Sequence, residues 1–138
     1  MEFLSHCAED TENFAYNFAQ KISSPHIICL IGDLGAGKTA FTRGFARFFG
    51  IEKGISSPTF IIMHRYTGRE IINHYDLYRI NDYEELIDIG FEEQIESGIS
   101  LIEWPDAFME YLPEDKTVIK ISRTQGGGDE RLIEVIEK

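Results

Sequence analysis

The chain has 138 residues, of which 43% are hydrophobic, so it can bury one core, and no apolar run approaches the ~18 residues of a membrane span. Two cysteines are too few for a disulfide framework, and the N-terminus lacks a signal-peptide pattern, so we expect one cytoplasmic domain over residues 1–138 without a membrane partner. The 24 acidic residues outnumber the 13 basic residues, and this net charge of −11 disfavours direct binding of nucleic acid, whose phosphates are normally neutralised by Lys and Arg.

The first predicted elements are a helix and a strand that is buried on both faces. Apolar side chains at every fourth position predict a helix that is capped by Asp10 or Thr11 and ends near Ile22. The apolar run 26–31 does not alternate with polar residues, which is typical of a strand with both faces covered. Cys29 lies in this run, and we expect it to be a small core residue.

A glycine-rich segment follows the strand and precedes a helix that an apolar stripe of phenylalanines predicts over 38–49. The segment matches the phosphate-binding pattern G-x-x-x-x-G-K-[ST], with the residues Gly32-Asp33-Leu34-Gly35-Ala36-Gly37-Lys38-Thr39. Glycines let the backbone wrap closely around phosphates, and successive N–H groups together with the helix N-terminus then attract the anion. We expect Lys38 to reach the β- and γ-phosphates and the Thr39 hydroxyl to bind Mg²⁺. The predicted nucleotide-binding residues are therefore Asp33, Leu34, Gly35, Ala36, Gly37, Lys38 and Thr39.

Downstream of this segment, the sequence predicts further strands and short helices. Residues 60–66 and 70–75 are strand-like runs around Thr67-Gly68-Arg69, a pattern typical of a hairpin and therefore of a mixed sheet. The remaining predicted elements are short helices over 83–88 and 91–97, a strand over 99–103, a helix from Pro105 to Tyr111, and strands over 116–123 and 131–136. The predicted fold class is α/β: a three-layer sandwich, like that of P-loop NTPases, with a mixed parallel and antiparallel sheet.

Two acidic residues lie at the ends of short apolar strands. Asp76 comes directly after the run 71–75, and Glu103 ends the strand 99–103. Because strand carboxyl ends line the ligand crevice of open α/β sheets, we expect both carboxylates to lie near the Mg²⁺ of a bound nucleotide. Motif spacing does not decide which acid contacts the metal and which orients an attacking water.

Four motifs occur in the order found in one known family. They are the glycine-rich segment 32–39, Ser57-Pro58-Thr59-Phe60, His74-Tyr75-Asp76-Leu77-Tyr78-Arg79 and Ile102-Glu103-Trp104-Pro105. In these motifs the chain resembles the TsaE (YjeE) family, the bacterial ATPases required for the threonylcarbamoyladenosine modification of tRNA. The resemblance extends over residues 27–105.

The resemblance implies roles for individual residues. Lys38, Asp76 and Glu103 would be catalytic, and Thr39 would hold Mg²⁺ together with the two acids. Thr59 would lie in a segment that senses the γ-phosphate, although the same segment equally fits a simple turn into a strand.

The aromatic and basic residues beside the two acids are less specific. Trp104 would lie near the nucleotide, but a large aromatic residue fits the core equally well. His74 fits a hydrogen-bonded strand residue better than a catalyst. Tyr78 and Arg79 fit either a contact with a partner or phosphate, or an ordinary surface position.

The function implied by the resemblance is that of an ATPase in t(6)A37 modification that acts with TsaB and TsaD and reaches tRNA only indirectly. The cofactors would be ATP and Mg²⁺, because the chain lacks the Asn-Lys-x-Asp stretch of guanine-specific relatives. One alternative is an ATP-dependent clamp with little hydrolysis, in which nucleotide orders residues 57–66 and creates a partner surface. The other is a small-molecule kinase, which the absence of an arginine cluster in the sequence disfavours.

Overall fold

A seven-stranded β-sheet runs through the computed structural model, which describes residues 1–33, 35–55 and 62–137. In chain order its strands are β1 (Glu2–Ser5), β2 (His26–Ile31), β3 (Met63–Thr67), β4 (Ile71–Asp76), β5 (Ile99–Glu103), β6 (Thr117–Arg123) and β7 (Arg131–Glu137). The helices are α1 (Ala8–Ala19), α2 (Lys38–Phe48), α3 (Tyr83–Asp88), α4 (Phe91–Gln94) and a 3₁₀ helix at Asp106–Tyr111. Within these described ranges, no helix has the length and apolar character needed to cross a membrane.

The strand order in the sheet is β1-β7-β6-β2-β5-β4-β3. The four central strands, β6, β2, β5 and β4, are parallel, whereas β3 on one side and β7 and β1 on the other are antiparallel to their neighbours. This order confirms the predicted mixed sheet and the hairpin of β3 and β4. The strand β1 is missing from the sequence-based prediction, because its four residues form a short edge strand whose partner, β7, lies at the other end of the chain.

The parallel register brings the predicted acids together. The carboxyl ends of parallel strands meet at one edge of a sheet, and Asp76 at the end of β4 lies directly opposite Glu103 at the end of β5. Glu103 in turn lies opposite Leu30 of β2. The glycine-rich loop begins directly after Ile31, so it leaves the sheet at the same edge as the two acids.

Two hydrophobic clusters cover the two faces of the sheet. On one face, Phe18 of α1 and Phe45 of α2 pack against strand residues. On the other face, the packing residues include Leu86 of α3, Phe91 of α4 and Phe108 of the 3₁₀ helix. Helices therefore lie on both sides of the sheet, which confirms the three-layer α/β sandwich.

Cys29 is a core residue, as its apolar surroundings in the sequence predict. It is fully buried in β2, within the cluster formed with α3, α4 and the 3₁₀ helix. Burial raises the pKa of its thiol to about 12, because the thiolate is poorly solvated there. Its role is therefore in packing.

The helix α1 begins earlier than predicted. It starts at Ala8, so Asp10 and Thr11 lie within its first turns, and their prediction as caps is wrong. Both still stabilise the start of the helix: Asp10 Oδ2 accepts the backbone N–H of His6 at 3.0 Å, and the Thr11 hydroxyl lies 2.7 Å from Ser5 Oγ. Short polar side chains suit both sites, which is why composition alone misplaces the boundary.

Two other helix ends and the type of one helix also differ from the prediction. The helix α1 ends at Ala19. After it, the chain forms tighter turns, in which the N–H of Ile22 donates to the carbonyl of Ala19 at 3.1 Å. The helix α4 ends at Gln94, and the residues after Pro105 form a 3₁₀ helix in place of an α-helix. Such differences arise at helix ends, where the chain exchanges one hydrogen-bonding pattern for another at little cost.

The helix that follows the glycine-rich loop is anchored by close packing on α1. At Gly44 of α2, an added Cβ would lie only 2.0 Å from the backbone oxygen of Glu12. The absence of a side chain thus lets the two helix backbones approach each other. The start of α2 is therefore held in a fixed place at the edge of the sheet.

Candidate phosphate and metal site

The backbone of the loop between β2 and α2 requires glycine at three positions. Gly35 and Gly37 have φ angles of +77° and +110°, in the left-handed region that side chains disfavour. At Gly32, a Cβ would lie 2.5 Å from the backbone oxygen of Ile121. The helix then starts at once, with the N–H of Phe41 donating to Gly37 O at 3.0 Å. A bare backbone beside a helix N-terminus is the arrangement that binds phosphate.

Two arginines of the C-terminal hairpin, which is formed by β6 and β7, donate hydrogen bonds to backbone carbonyls of this loop. Arg131 donates from Nε to Ala36 O at 3.1 Å and from Nη2 to Gly35 O at 3.3 Å. Arg123, its register partner across β6 and β7, donates to the same Gly35 oxygen at 3.2 Å. Sequence reasoning assigns this hairpin no role, and the only available signal is the placement of an arginine at each end of a glycine-rich turn.

Lys38 is buried at the end of the loop without a hydrogen bond. It is 6% exposed, and within the described chain its Nζ has no hydrogen-bond acceptor. The nearest charged group is Glu103, with Oε1 at 3.8 Å, and the ring of Trp104 lies 4.0 Å from the ammonium nitrogen. Burial lowers the pKa of Lys38, an effect that the Glu103 and Asp76 carboxylates oppose. A buried ammonium with unused donors is suited to an anionic ligand.

The carboxylate of Glu103 is engaged from two sides. Its Oε1 faces Lys38, while Oε2 lies 2.5 Å from Nε2 of His74. Both Glu103 and His74 are buried, at 3% and 0% exposure. The structure thus places His74, in the motif with Asp76, in direct contact with the second predicted acid.

Asp76 is the more accessible of the two acids. It is half-buried, and its Oδ1 accepts the backbone N–H of Tyr78 at 2.9 Å. Burial raises the pKa of Asp76, and the nearby Glu103 raises it further, whereas the bond from Tyr78 and the charge of Lys38 lower it. Its carboxylate is therefore poorly compensated, as expected of a group that receives a cation.

Trp104 lies at the mouth of the site. Its backbone has a φ angle of +56°, in the left-handed region, directly after Glu103. The half-buried ring lies between the ammonium of Lys38 and the ring of Tyr78, whose centroid is 5.0 Å away. The strained backbone is thus accompanied by an aromatic wall over the lysine.

A metal ion in this site would need some of its ligands from a bound nucleotide. In the part of the chain that the structure describes, no group of three or more His, Cys, Asp or Glu side chains is arranged to hold a metal ion. Mg²⁺ bound to nucleotides needs only one or two carboxylates, because phosphate oxygens and waters complete its coordination. Asp76, Glu103 and the Thr39 hydroxyl offer oxygen donors of this type, so the residues present fit a nucleotide-bound Mg²⁺.

A cavity of about 180 Å³ adjoins the loop. Its walls include Gly32, Asp33 and Ala36 of the loop, Trp104 after β5, and Arg123 of β6. The loop thus borders an open space as well as the buried lysine.

The structure brings Lys38, Asp76, Glu103 and Trp104 together at one edge of the sheet. Leu34 and Thr59, the latter with residues 56–61, lie outside the described residues. The catalytic, nucleotide-binding and metal-binding roles of all these residues stay predictions.

Comparison with known proteins identifies the family. The profile "Threonylcarbamoyl adenosine biosynthesis protein TsaE" matches residues 5–133. Three relatives named "tRNA threonylcarbamoyladenosine biosynthesis protein TsaE" are those of Rickettsia prowazekii (45% identity over 71% of this chain and 69% of the relative), Bacillus subtilis (39%, over 91% and 78%) and Treponema pallidum (34%, over 94% and 97%).

The fold agrees with a solved structure. The crystal structure of YdiB from Bacillus subtilis superimposes with a TM-score of 0.78 at 34% identity, covering 96% of this chain and 82% of that one. Fold, motif order and sequence similarity thus agree. The chain belongs to the TsaE family, whose members take part in tRNA threonylcarbamoyladenosine biosynthesis.

Proposed function

We propose that residues 1–138 form one nucleotide-binding domain that binds Mg-ATP and hydrolyses it in support of tRNA threonylcarbamoyladenosine modification. The observation that supports this most directly is the buried ammonium of Lys38, which has no hydrogen-bond acceptor within the described residues. Burying a cation without acceptors destabilises a protein, so such a group is retained where a ligand supplies them. The adjoining glycine-rich loop selects phosphate as that ligand.

Binding of the triphosphate is assigned to the loop and the start of α2. Backbone N–H groups of the glycine-rich loop donate to the phosphates, and Lys38 leaves the weak pairing with Glu103 Oε1 to donate to phosphate oxygens. The arginines Arg123 and Arg131 hold loop carbonyls on the other side and keep the loop in shape. ATP is preferred over GTP because the guanine-specific motif is absent from the sequence.

The two acids are assigned different tasks. Mg²⁺, when bound, neutralises charge on the β- and γ-phosphates. Asp76 and the Thr39 hydroxyl would hold it, because Oδ1 of Asp76 accepts the N–H of Tyr78 while its other carboxylate oxygen has no hydrogen bond within the described residues. Glu103 orients the attacking water, because it ends the strand beside Asp76.

The partners proposed are TsaB and TsaD, with tRNA reached only through them. Membership of a family named for a tRNA modification supports an assembly that contains tRNA and is in keeping with a cytoplasmic location. The net charge of −11 supports contact with proteins over contact with tRNA phosphates.

The test compares wild type with Lys38→Met, using Lys21→Met, an exposed lysine, as the control. Calorimetry measures affinity for Mg-ATP, and phosphate release measures turnover, each with and without TsaB and TsaD. We expect Lys38→Met to weaken Mg-ATP binding about tenfold or more, because charge-assisted bonds to phosphate are lost, and Lys21→Met to leave it unchanged. Wild-type protein that neither binds nor hydrolyses Mg-ATP in either setting would contradict the proposal, as would a preference for GTP.

A further inference from the structure

We infer that His74 is a positioning residue that fixes the carboxylate of Glu103 in the orientation needed for turnover. This inference rests on the proposed ATPase function and deepens it, because it gives a task to a residue outside the phosphate loop and the metal ligands. The alternative is that His74 is an ordinary buried strand residue whose hydrogen bond only satisfies a polar group.

The sheet geometry places His74 and both acids on one face. Side chains alternate along a strand, so His74 and Asp76 of β4 point to the same side. Their register partners on β5, Leu101 and Glu103, share that face, and Leu101 belongs to the cluster covered by α1 and α2. Lys38, which begins α2, approaches Glu103 from this same side.

The contact between the two side chains is close and shielded from solvent. Nε2 of His74 lies 2.5 Å from Oε2 of Glu103, and His74 is entirely buried. Such a contact holds the carboxylate in one orientation, because neither water nor a second rotamer competes for the bond.

The hydrogen-bonding pattern around His74 assigns its proton. Within the described residues, Nδ1 has no hydrogen-bond partner. A proton on Nδ1 would be a buried donor without an acceptor, and it would leave the lone pair of Nε2 facing the carboxylate. The proton therefore lies on Nε2, and the imidazole donates to Glu103 Oε2.

This bond decides which oxygen of Glu103 is free for chemistry. With Oε2 held by His74, Oε1 is directed towards Lys38, at 3.8 Å. When Lys38 turns to phosphate, Oε1 becomes available without a rotation of the carboxylate. Without His74, Glu103 can rotate and pair more fully with Lys38, so the orientation that turnover requires is populated less often.

The experiment is a double-mutant cycle on turnover. His74→Leu removes the donor, and His74→Gln retains an amide N–H; each is made in wild type and in Glu103→Gln, and assayed with TsaB and TsaD present. We expect His74→Leu to lower kcat about tenfold to a hundredfold, the range seen when a residue that orients a metal-binding side chain is lost. The affinity for Mg-ATP should change less than about threefold. His74→Gln should recover part of the loss. In the Glu103→Gln background, the same His74→Leu change should alter kcat by less than about twofold.

Ser100→Ala is the matched control, because Ser100 is also a fully buried polar residue of the sheet whose Oγ has no hydrogen bond in the described chain. It should leave kcat unchanged. An equal loss of kcat from His74→Leu in both backgrounds, or no loss in wild type, would overturn the inference.

A second measurement does not depend on the variants folding or on turnover. Nitrogen-15 NMR of the wild-type histidines reports the tautomer, and we expect His74 to carry its proton on Nε2 and to exchange it slowly with solvent. A proton on Nδ1 would overturn the inference. Absence of ATP turnover in wild type, in contrast, would contradict the proposed function and leave this tautomer measurement as the deciding test.

Discussion

Asp76 shows how a residue at the site can destabilise the protein that holds it. Burial raises the pKa of its carboxyl group above the ordinary value of 3.8. The folded chain therefore binds this proton more tightly than the unfolded chain. The stability contributed by the protonated form is present at low pH and is lost as pH rises from 3.8 through the folded-state pKa. At neutral pH, the ionised carboxylate therefore opposes folding.

The variant Asp76→Asn tests this pH dependence. We expect its melting temperature without nucleotide to exceed that of wild type at about pH 7, and the difference to vanish below about pH 4. The amide keeps an oxygen for the Tyr78 N–H, so the local turn survives. Asp129→Asn, at an exposed loop position, is the control and should show no such pH-dependent gain. A variant that melts below wild type at neutral pH would contradict the argument.

The same variant should lose the response to magnesium. With Mg-ATP added, wild type should gain melting temperature through ligand binding, and Asp76→Asn should gain less. The substitution should thus raise the melting temperature without nucleotide and reduce the gain in melting temperature with Mg-ATP. A nonspecific effect of the substitution would not produce both changes.

At the scale of elements, the hairpin of β6 and β7 supports the glycine-rich loop from the far end of the chain. Arg131 is tied to the hairpin itself by donation to Gly128 O at 2.7 Å and Glu130 O at 2.9 Å. The same guanidinium reaches the loop carbonyls of Gly35 and Ala36. Because arginine engages these carbonyls, the loop is held in one shape.

The variant Arg131→Gln should therefore weaken nucleotide binding. We expect about a tenfold loss of affinity, from the loss of hydrogen bonds that shape the loop. The loss should be equal for ADP and ATP, because both carry the β-phosphate that we propose the loop to bind. Arg43→Gln removes the same charge from the exposed face of α2 and should have no effect. Unchanged calorimetric affinities in Arg131→Gln would show that the hairpin does not support the loop.

Some parts of the fold and of the candidate site can be predicted from local sequence patterns, and others cannot. The glycine-rich loop and the acids at strand ends are contiguous patterns, and parallel strands must bring their carboxyl ends to one edge. The contact of His74 with Glu103 depends on the register of β4 against β5, which no local pattern fixes. The bonds from Arg131 to the loop likewise join residues 95 and 96 positions apart. Local chemistry therefore predicts the loop and the acids, and tertiary packing adds the residues that orient them.

On the scale of the whole molecule, the net charge disfavours direct contact with the tRNA in whose modification the family takes part. Acidic residues outnumber basic ones by 24 to 13. Several basic groups also point inward: Lys38 and Lys116 are buried, and Arg131 is bonded to backbone carbonyls. The surface charge available to phosphates is therefore even more negative than the composition indicates.

We expect the isolated chain to bind tRNA more weakly than about 100 µM at physiological salt, since even nonspecific binding needs cations that replace phosphate counterions. Filter binding of labelled tRNA at several salt concentrations measures this, with the TsaB–TsaD complex alone and together with this chain as controls. If the chain reaches tRNA through its partners, it should be retained with tRNA only when they are present. Saturable binding by the isolated chain that weakens steeply as salt rises would instead show a basic surface formed despite the net charge, and tRNA would then be a direct partner.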